Sequence, residues 1–441
     1  MPVDTLHPEY TDHNNRVTRC RDVVEGTDAV KKKGVAYLPI LGGQNKAEYD
    51  AYKSRALFTN VTSRSLSGYV GVITSRDPET TYPPGMERYF EDTSLNSTSF
   101  HELFKSIVED VIVSGRVPLL VDRPVEGGRA YISHYKSENL TNWSMDPTGN
   151  VDMAVLTEEN YEPATADMFK MDLVTTYRAM YLDSDGVYRI TMYGKDAKAT
   201  SASQGVTLTP NIKGEVIREL PMTIITPQGI SAQVFKPPIL DIAEVNLSHY
   251  RTSADLEHGR HWVSLPTPVV SGVDGGTVLR VGSQTAWVLP DKDAKAYYLE
   301  FVGQGLQSLE KALAEKQAQM TLFSAQLMNT STRGSESSDV IKLRFASDAA
   351  TLASIAHAVE AGLNRVYKTI ALWEGYDPNE VNVSLDKEFI NTSLTAAEIQ
   401  ALTKSFVDGA IDEETYIFNL KRGGLVPKGK EGLDTKINRG A

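Results

Sequence analysis

Only one cysteine, Cys20, occurs in the 441 residues. That excludes a disulfide within the chain and points to synthesis in a reducing compartment. Long apolar runs are missing too: none approaches the ~20 residues that a membrane span needs. The opening MPVDTLHPEY lacks the basic-then-apolar order of a secretory leader, so none is expected. Positive charge is in deficit, with 45 basic against 57 acidic side chains and a net charge of −12. Such a balance argues against a chain that coats itself in nucleic acid. It permits one that DNA passes without sticking, because a mildly repulsive wall avoids tight phosphate contacts.

Catalytic signatures fail one after another. Gly303-Gln304-Gly305 follows a strand-like run, but Ser308 stands where a dinucleotide turn needs its third glycine. The simpler reading is a glycine hinge opening a helix. No phosphate-binding P-loop and no nucleophile elbow is present. His101-Glu102 opens like a zinc-protease helix, yet Lys105 stands where the second histidine belongs. His249, His258 and His261 share one helical segment, and His258 and His261 could meet on one face. No thiolate or well-placed acid completes a tetrahedral site, so solvated or interfacial histidines are the reading. Asp183 to Gly186 starts like a calcium loop but lacks the later glutamate, which leaves a hairpin turn. Cys20 sits in a basic, polar helix that could lower its pKa; a structural or exposed thiol is the safer assignment. No catalytic, cofactor or metal residue is assigned.

What is present is periodicity. Tyr10–Lys33 is helix-compatible, and Lys46 to about Ser75 reads as one helix with Tyr49, Tyr52, Ala56, Val61 and Leu66. A better helix carries Phe100, Leu103, Phe104, Ile107 and Val111 and closes at Gly115. Val117–Val121 and Ala130–Tyr135 read as strands. From Val151 to Thr226 the period switches to alternation, with VTTYRAMYL and VYRITMYG flanking the turn at Asp183–Gly186. The first half is therefore α+β, helices first and a small antiparallel sheet after them. Lys236–Gly375 organises the rest. One helix follows Pro237-Pro238 with its stripe at Ile239, Ala243, Leu247, Tyr250 and Ala254. A glycine- and proline-broken β excursion runs from about Val263 to Val302, and a second helix carries Leu306, Leu309, Leu313, Met320, Phe323 and Leu327. The loop Asn329, Thr330, Ser331, Thr332, Arg333, Gly334, Ser335, Glu336, Ser337, Ser338, Asp339 holds no apolar residue and must face water. The longest periodic segment then carries Leu352, Ile355, Val359, Leu363, Val366, Ile370 and Trp373, stopping near Gly375 and Pro378. A stripe this long is expected to need a neighbouring subunit, so Leu352, Ile355, Val359, Leu363 and Val366 are assigned to oligomerisation. After Pro378 comes a helical tail with a capping box at Thr395 and Glu398, a break at Asp408-Gly409, and a basic end from Lys421.

The chain resembles the portal proteins of tailed bacteriophages, and among them a group described only as a domain of unknown function. The marks are His7-Pro8-Glu9-Tyr10, YLPIL with EYDAYKSRALFTN, GRVPLLVDRP, SENLTNW, PPILDIAEVNLSHYRTSADLEHGRHW and KAYYLEFVGQGL, in that order over nearly the whole chain. The resemblance implies a ring, usually of twelve subunits, at one capsid vertex, through which double-stranded DNA is packaged and ejected. It implies a wing at 1–236, stem helices at 237–262 and 303–328, and a clip at 263–302. The clip's strands are too short and glycine-broken to make a stable sheet alone and are expected to pair with neighbouring subunits or partners. A tunnel loop at 329–339 would line the channel, followed by a long helix and bridge at 340–392 and a crown with its tail at 393–441. The implied partners are further copies of the chain, the terminase, the major capsid protein and a head–tail adaptor or tail protein, with no membrane and no cofactor. The implied location is the virion, after synthesis in the bacterial cytoplasm. Another ring-forming head–tail adaptor, or a cytosolic enzyme with an unrecognised site, are the alternatives.

Overall fold

The computed structural model describes residues 2–124, 127–164, 167–194, 205–264, 267–272, 293–299, 303–328, 338–385 and 396–422. The fold is α+β. Its first helices are α1 (Tyr10–Glu25), α2 (Thr27–Lys32), α3 (Lys46–Arg55), α4 (Val61–Ile73), α5 (Glu87–Glu91) and α6 (Phe100–Ser114). The single helix expected over Lys46–Ser75 is two. Asn45 and Glu48 form a capping box on α3, and Asn60 starts α4 afresh by accepting a hydrogen bond from Ser63 N at 2.9 Å. Between them Phe58 turns onto the ring of Tyr250, with centroids 5.9 Å apart. Burial of that aromatic outweighs helix continuity.

Helix α6 begins at a capping box of Ser99 and Glu102 and ends at Gly115 with φ of 72°. A Cβ at Gly115 would stand 2.8 Å from the carbonyl oxygen of Phe235, so the sharp exit into the next strand requires glycine. Strands β1 (Glu79–Thr81), β2 (Val117–Asp122) and β3 (Tyr131–His134) precede β4 (Leu140–Met145), β5 (Val151–Ala164), β6 (Asp167–Leu182), β7 (Tyr188–Tyr193) and β8 (Val206–Leu208). Short β9 (Asn211–Ile212), β10 (Glu215–Val216), β11 (Met222–Thr226) and β12 (Gly229–Ile230) follow. Of the two larger antiparallel sheets, one has the order β12-β11-β2-β3 and the other β4-β5-β6-β7-β8, and β9 pairs with β10 as a short antiparallel hairpin. Residues Val117–Val121 and Met222–Thr226 are buried throughout. Both of their faces are covered, which is why VPLLV and MTIIT are continuous apolar runs rather than alternating ones.

Helix α7 (Leu240–Val263) leaves this body, β13 (Thr267–Ser271) and β14 (Lys295–Leu299) lie at its far end, and α8 (Gln304–Met328) returns. Strands β13 and β14 pair with each other, Thr267 opposite Leu299 and Ser271 opposite Lys295. Helix α9 (Ser338–Glu374) packs on β11, β12 and β2 and against α6, and β15 (Asn382–Ser384) then pairs with β1. Helices α10 (Ala396–Val407) and α11 (Glu413–Arg422) meet through stacked Phe406 and Tyr416, with centroids 4.5 Å apart. The basic end beyond Arg422 lies outside the described residues.

Gly362 marks where α9 lies closest to the sheet: a Cβ there would collide with the side chain of fully buried Ile225. Alanine would improve helix propensity by about 0.5–1 kcal/mol, but displacing Ile225 costs about 1–3 kcal/mol. Gly362→Ala is therefore expected to lower the urea midpoint of the purified protein, where propensity alone would raise it.

Candidate functional site

Helices α7 and α8 form an antiparallel pair, and their contacts track along both. Arg260 Nη2 donates to Glu310 Oε1 at 2.8 Å. A Cβ on Gly259 would lie 2.6 Å from Leu306 Cδ2. Further in, Lys316 donates to Thr252 Oγ1 and, at 3.3 Å, to Ser248 O. Gly303, with φ of 67°, opens α8 as a hinge, and Leu306 N donates back to its carbonyl at 2.9 Å. At the inner end Tyr69 OH donates to Phe323 O at 2.8 Å. Helix α7 is anchored by fully buried Asn246, whose Oδ1 accepts from Thr62 Oγ1 at 2.9 Å and whose Nδ2 donates to Thr59 O at 2.9 Å.

The two partners are unequal. Leu247, Tyr250, Ala254 and Leu256 of α7 are buried, whereas over 305–323 only Met320 of α8 is. At ~1.5 Å per residue α8 extends about 37 Å, most of it facing solvent on one side. The outer tip exposes Trp262 (57%), Tyr297 (54%) and Tyr298 (56%). Adjacent residues of a strand point to opposite faces, so the two tyrosines leave apolar surface on both sides of the β13–β14 ribbon.

Of the polar loop, residues 329–337 (Asn329, Thr330, Ser331, Thr332, Arg333, Gly334, Ser335, Glu336, Ser337) lie outside the described residues, and Ser338 and Asp339 form the first turn of α9. The end of α8 and the start of α9 that flank it belong to helices in mutual contact. The assigned stripe has a definite place. Leu352, Ile355, Val359, Leu363 and Val366 are each at most 3% exposed within one subunit, as are Tyr367 and Ile370, and Trp373 is 5% exposed. The chain's own sheet and α6 cover the stripe, so its length does not require a neighbour.

The histidines of α7 serve packing. His249 is 8% exposed, and burial followed by the nearby Lys316 charge pushes its pKa down. His258 Nε2 accepts from Trp262 Nε1 at 3.1 Å, and His261 contacts Arg55 at 3.2 Å. Burial, then Arg55, lowers the pKa of His258. No cluster of three metal-ligating side chains occurs among the described residues. Glu102 completes the capping box of α6 with Ser99, and His101 pairs with Asp77 at 2.8 Å. Asp183 Oδ1 accepts from the backbone of Asp185 and Val187 at 3.0 and 2.9 Å, a hairpin turn as expected. Cys20 is fully buried, and desolvation pushes its thiol up to about 12, outweighing Arg19 and Arg21. It is inert.

A cluster that spacing did not reveal gathers three of the six sequence marks. His7 stacks on Trp143 at 3.7 Å, and the Arg116 guanidinium lies 4.0 Å over the same ring. Tyr10 OH donates to Glu138 O at 2.8 Å. His13 Nε2 meets Ser137 Oγ at 2.7 Å, and Ser137 also faces Arg116 Nε at 3.4 Å. Arg116 is fully buried with no ion pair among the described residues, and burial lowers its pKa to about 10. Cation–π attraction, worth up to ~2 kcal/mol when desolvated, offsets part of that cost. HPEY, GRVPLL and SENLTNW thus describe one joint that straps the N-terminus across β4. The only hint in the sequence was an arginine beside an apolar strand and a tryptophan in a polar run.

Residues 238–374 match the family described as a domain of unknown function (DUF4055). No curated protein matches the chain in sequence. Among solved structures, the neck of an empty gene transfer agent particle with C6 symmetry shares 13% identity over 88% of this chain and 95% of that one, with a TM-score of 0.43. The neck of the native particle with C12 symmetry gives 14%, 83%, 91% and 0.37. The virion of the native particle gives 13%, 90%, 99% and 0.40. The DUF4055 match takes in α7, the β13–β14 ribbon, α8 and α9 to Glu374, the segment on which the sequence resemblance is strongest.

Proposed function

We propose that the chain is a portal subunit, a non-enzymatic conduit that assembles as a ring, of twelve in the resembled family, at one capsid vertex of a tailed-phage-like virion. The observation that carries this reading is the α7–α8 pair, braced at its base and largely bare along α8, followed in sequence by a polar stretch and then by a long helix that traverses the core. In a ring that loop is offered to the axis once per subunit. The aromatic tip at Trp262, Tyr297 and Tyr298 supplies a docking surface for the packaging motor and later for a tail adaptor. The helical body faces the shell protein. The strands at the tip, closed on each other, leave both faces of the ribbon for those partners.

Few and mixed charges in Asn329–Asp339 suit weak, exchangeable phosphate contacts, whereas a lysine-rich lining would hold DNA through counterion release. Replacing Ser335, Ser337 and Ser338 together by Lys should leave rings visible in negative-stain images yet slow packaging and ejection, most at low salt. Unmodified chain without rings defeats the portal reading. Rings with wild-type kinetics across a salt series remove the loop from the channel.

A further inference from the structure

Strands β5 and β6 run far past the sheet that holds them. Strand β4 covers β5 only as far as Leu156, and β7 covers β6 only from Tyr177. Beyond those points the two strands continue as a ribbon, Thr157 opposite Tyr177 out to Pro163 opposite Met171. At ~3.3 Å per residue the arm, seven residues on each strand, extends about 23 Å. A two-stranded ribbon is marginal alone in water, and both its edges offer unpaired backbone groups.

The register sorts the arm into two faces. Tyr161 opposes Leu173 and Pro163 opposes Met171 on one face, together with Glu159. Tyr161 is 72% exposed, Met171 56% and Leu173 43%. Glu162 and Asp172 oppose each other on the other face, and Lys170 pairs with Asp172 at 3.3 Å. No ion pair of Glu159 or Glu162 is found among the described residues. The arm therefore shows an apolar face with acidic flanks, and among the described residues nothing in its own subunit covers Tyr161, Met171 or Leu173.

A matching surface exists elsewhere on the same chain. Where α9 ends against β9–β10, a groove of about 650 Å³ is lined by Val216, Leu372, Lys213 and Arg218, with Glu215 and Glu219. Leu372 continues into a second depression of about 450 Å³ that adds Arg365 and Lys368. Leu372 and Val216 are 56% and 45% exposed. Lys213 and Lys368 have no ion pair among the described residues. In a chain of net charge −12, an apolar floor with a basic excess is the complement of an apolar ribbon with acidic flanks.

We infer that the β5–β6 arm of one copy docks in the groove between α9 and the β9–β10 hairpin of the next copy, clamping adjacent subunits. The inference rests on the ring reading above and names its contact. Each ion pair adds about threefold to association at most surface sites; desolvated Tyr161, Met171 and Leu173 supply the larger share.

Full-length Tyr161→Cys/Leu372→Cys protein, oxidised after assembly, should give disulfide-linked dimers and higher multiples on non-reducing electrophoresis, because native Cys20 is buried. Glu159→Lys with Glu162→Lys should weaken assembly, as should Lys213→Glu with Lys368→Glu, and the four changes together should restore it. Rings that yield only intrachain cross-links or none overturn the pairing. So do arm variants that assemble normally but lose binding to purified shell protein, which would assign the arm to that partner. A chain that forms no oligomer at all sinks the ring reading, and the pairing with it, whereas a ring without the cross-link sinks the pairing alone.

Discussion

Leu363→Asp will unfold the subunit rather than merely dissociate it. The side chain is fully buried on α9, with Val359, Val366 and Tyr367 also fully buried around it. A carboxylate there would be desolvated among these buried side chains, at an effective cost of several kcal/mol, about 5 after relaxation. Lost packing of the leucine adds about 2–5 kcal/mol. Together these approach the whole stability of an ordinary domain, about 5–15 kcal/mol. Expression should yield aggregated protein, and any soluble fraction should lack a cooperative thermal transition by circular dichroism. Leu363→Ala serves as the graded control, losing only the packing share. A folded Leu363→Asp monomer that fails to form rings would instead place Leu363 between subunits.

The contrast behind this prediction shows what could be read from residues alone. The helical stripe from Leu352 to Trp373 was legible because period 3.6 survives whatever lies opposite it. What lies opposite was not legible. The partners are Val117–Val121 and Met222–Thr226, more than a hundred residues away, and a buried run looks the same whether its cover comes from the same chain or another. The hinge at Gly303, the stop at Gly115 and the turn at Asp183–Gly186 were readable because backbone geometry leaves few residues to choose from. The break between α3 and α4 was not, since it depends on Phe58 reaching Tyr250 in tertiary space. Strand β6 was foreseen only from Val174, although it begins at Asp167. Its outer half forms the arm, where cross-strand pairing and not burial keeps the chain extended. Cys20 shows the same limit: neighbouring arginines in sequence suggest a reactive thiolate, and burial decides otherwise.

Mild acid should destabilise the protein, and His13 is the main cause. It is 1% exposed, its Nε2 meets Ser137 Oγ at 2.7 Å, and its Nδ1 has no hydrogen-bond partner among the described residues. Burial first, then the charges of Arg116 and Arg16, lowers its pKa from 6.5 to about 3. His7, His249 and His258 move the same way, each with burial as the first cause. A histidine whose folded value lies below its unfolded one contributes stability that is complete above the unfolded value and is lost as pH falls towards the folded value. The affected window is therefore from 6.5 down to about 3. At ~1.4 kcal/mol per pH unit, His13 alone costs about 2 kcal/mol between pH 6.5 and 5. A melting temperature about 2 °C lower is the expected scale for a chain of 441 residues. Carboxylates such as Asp110 and Glu374 also have lowered values, but their ordinary ones are 3.8 and 4.5. Their share is lost below that range, so the decline above pH 5 belongs to the histidines. Calorimetry of wild type and His13→Gln at pH 7.5 and 5 separates the two. Glutamine cannot take up the proton, so the variant should melt lower at pH 7.5 yet lose less on acidification. Equal losses in both proteins would clear His13 of the role.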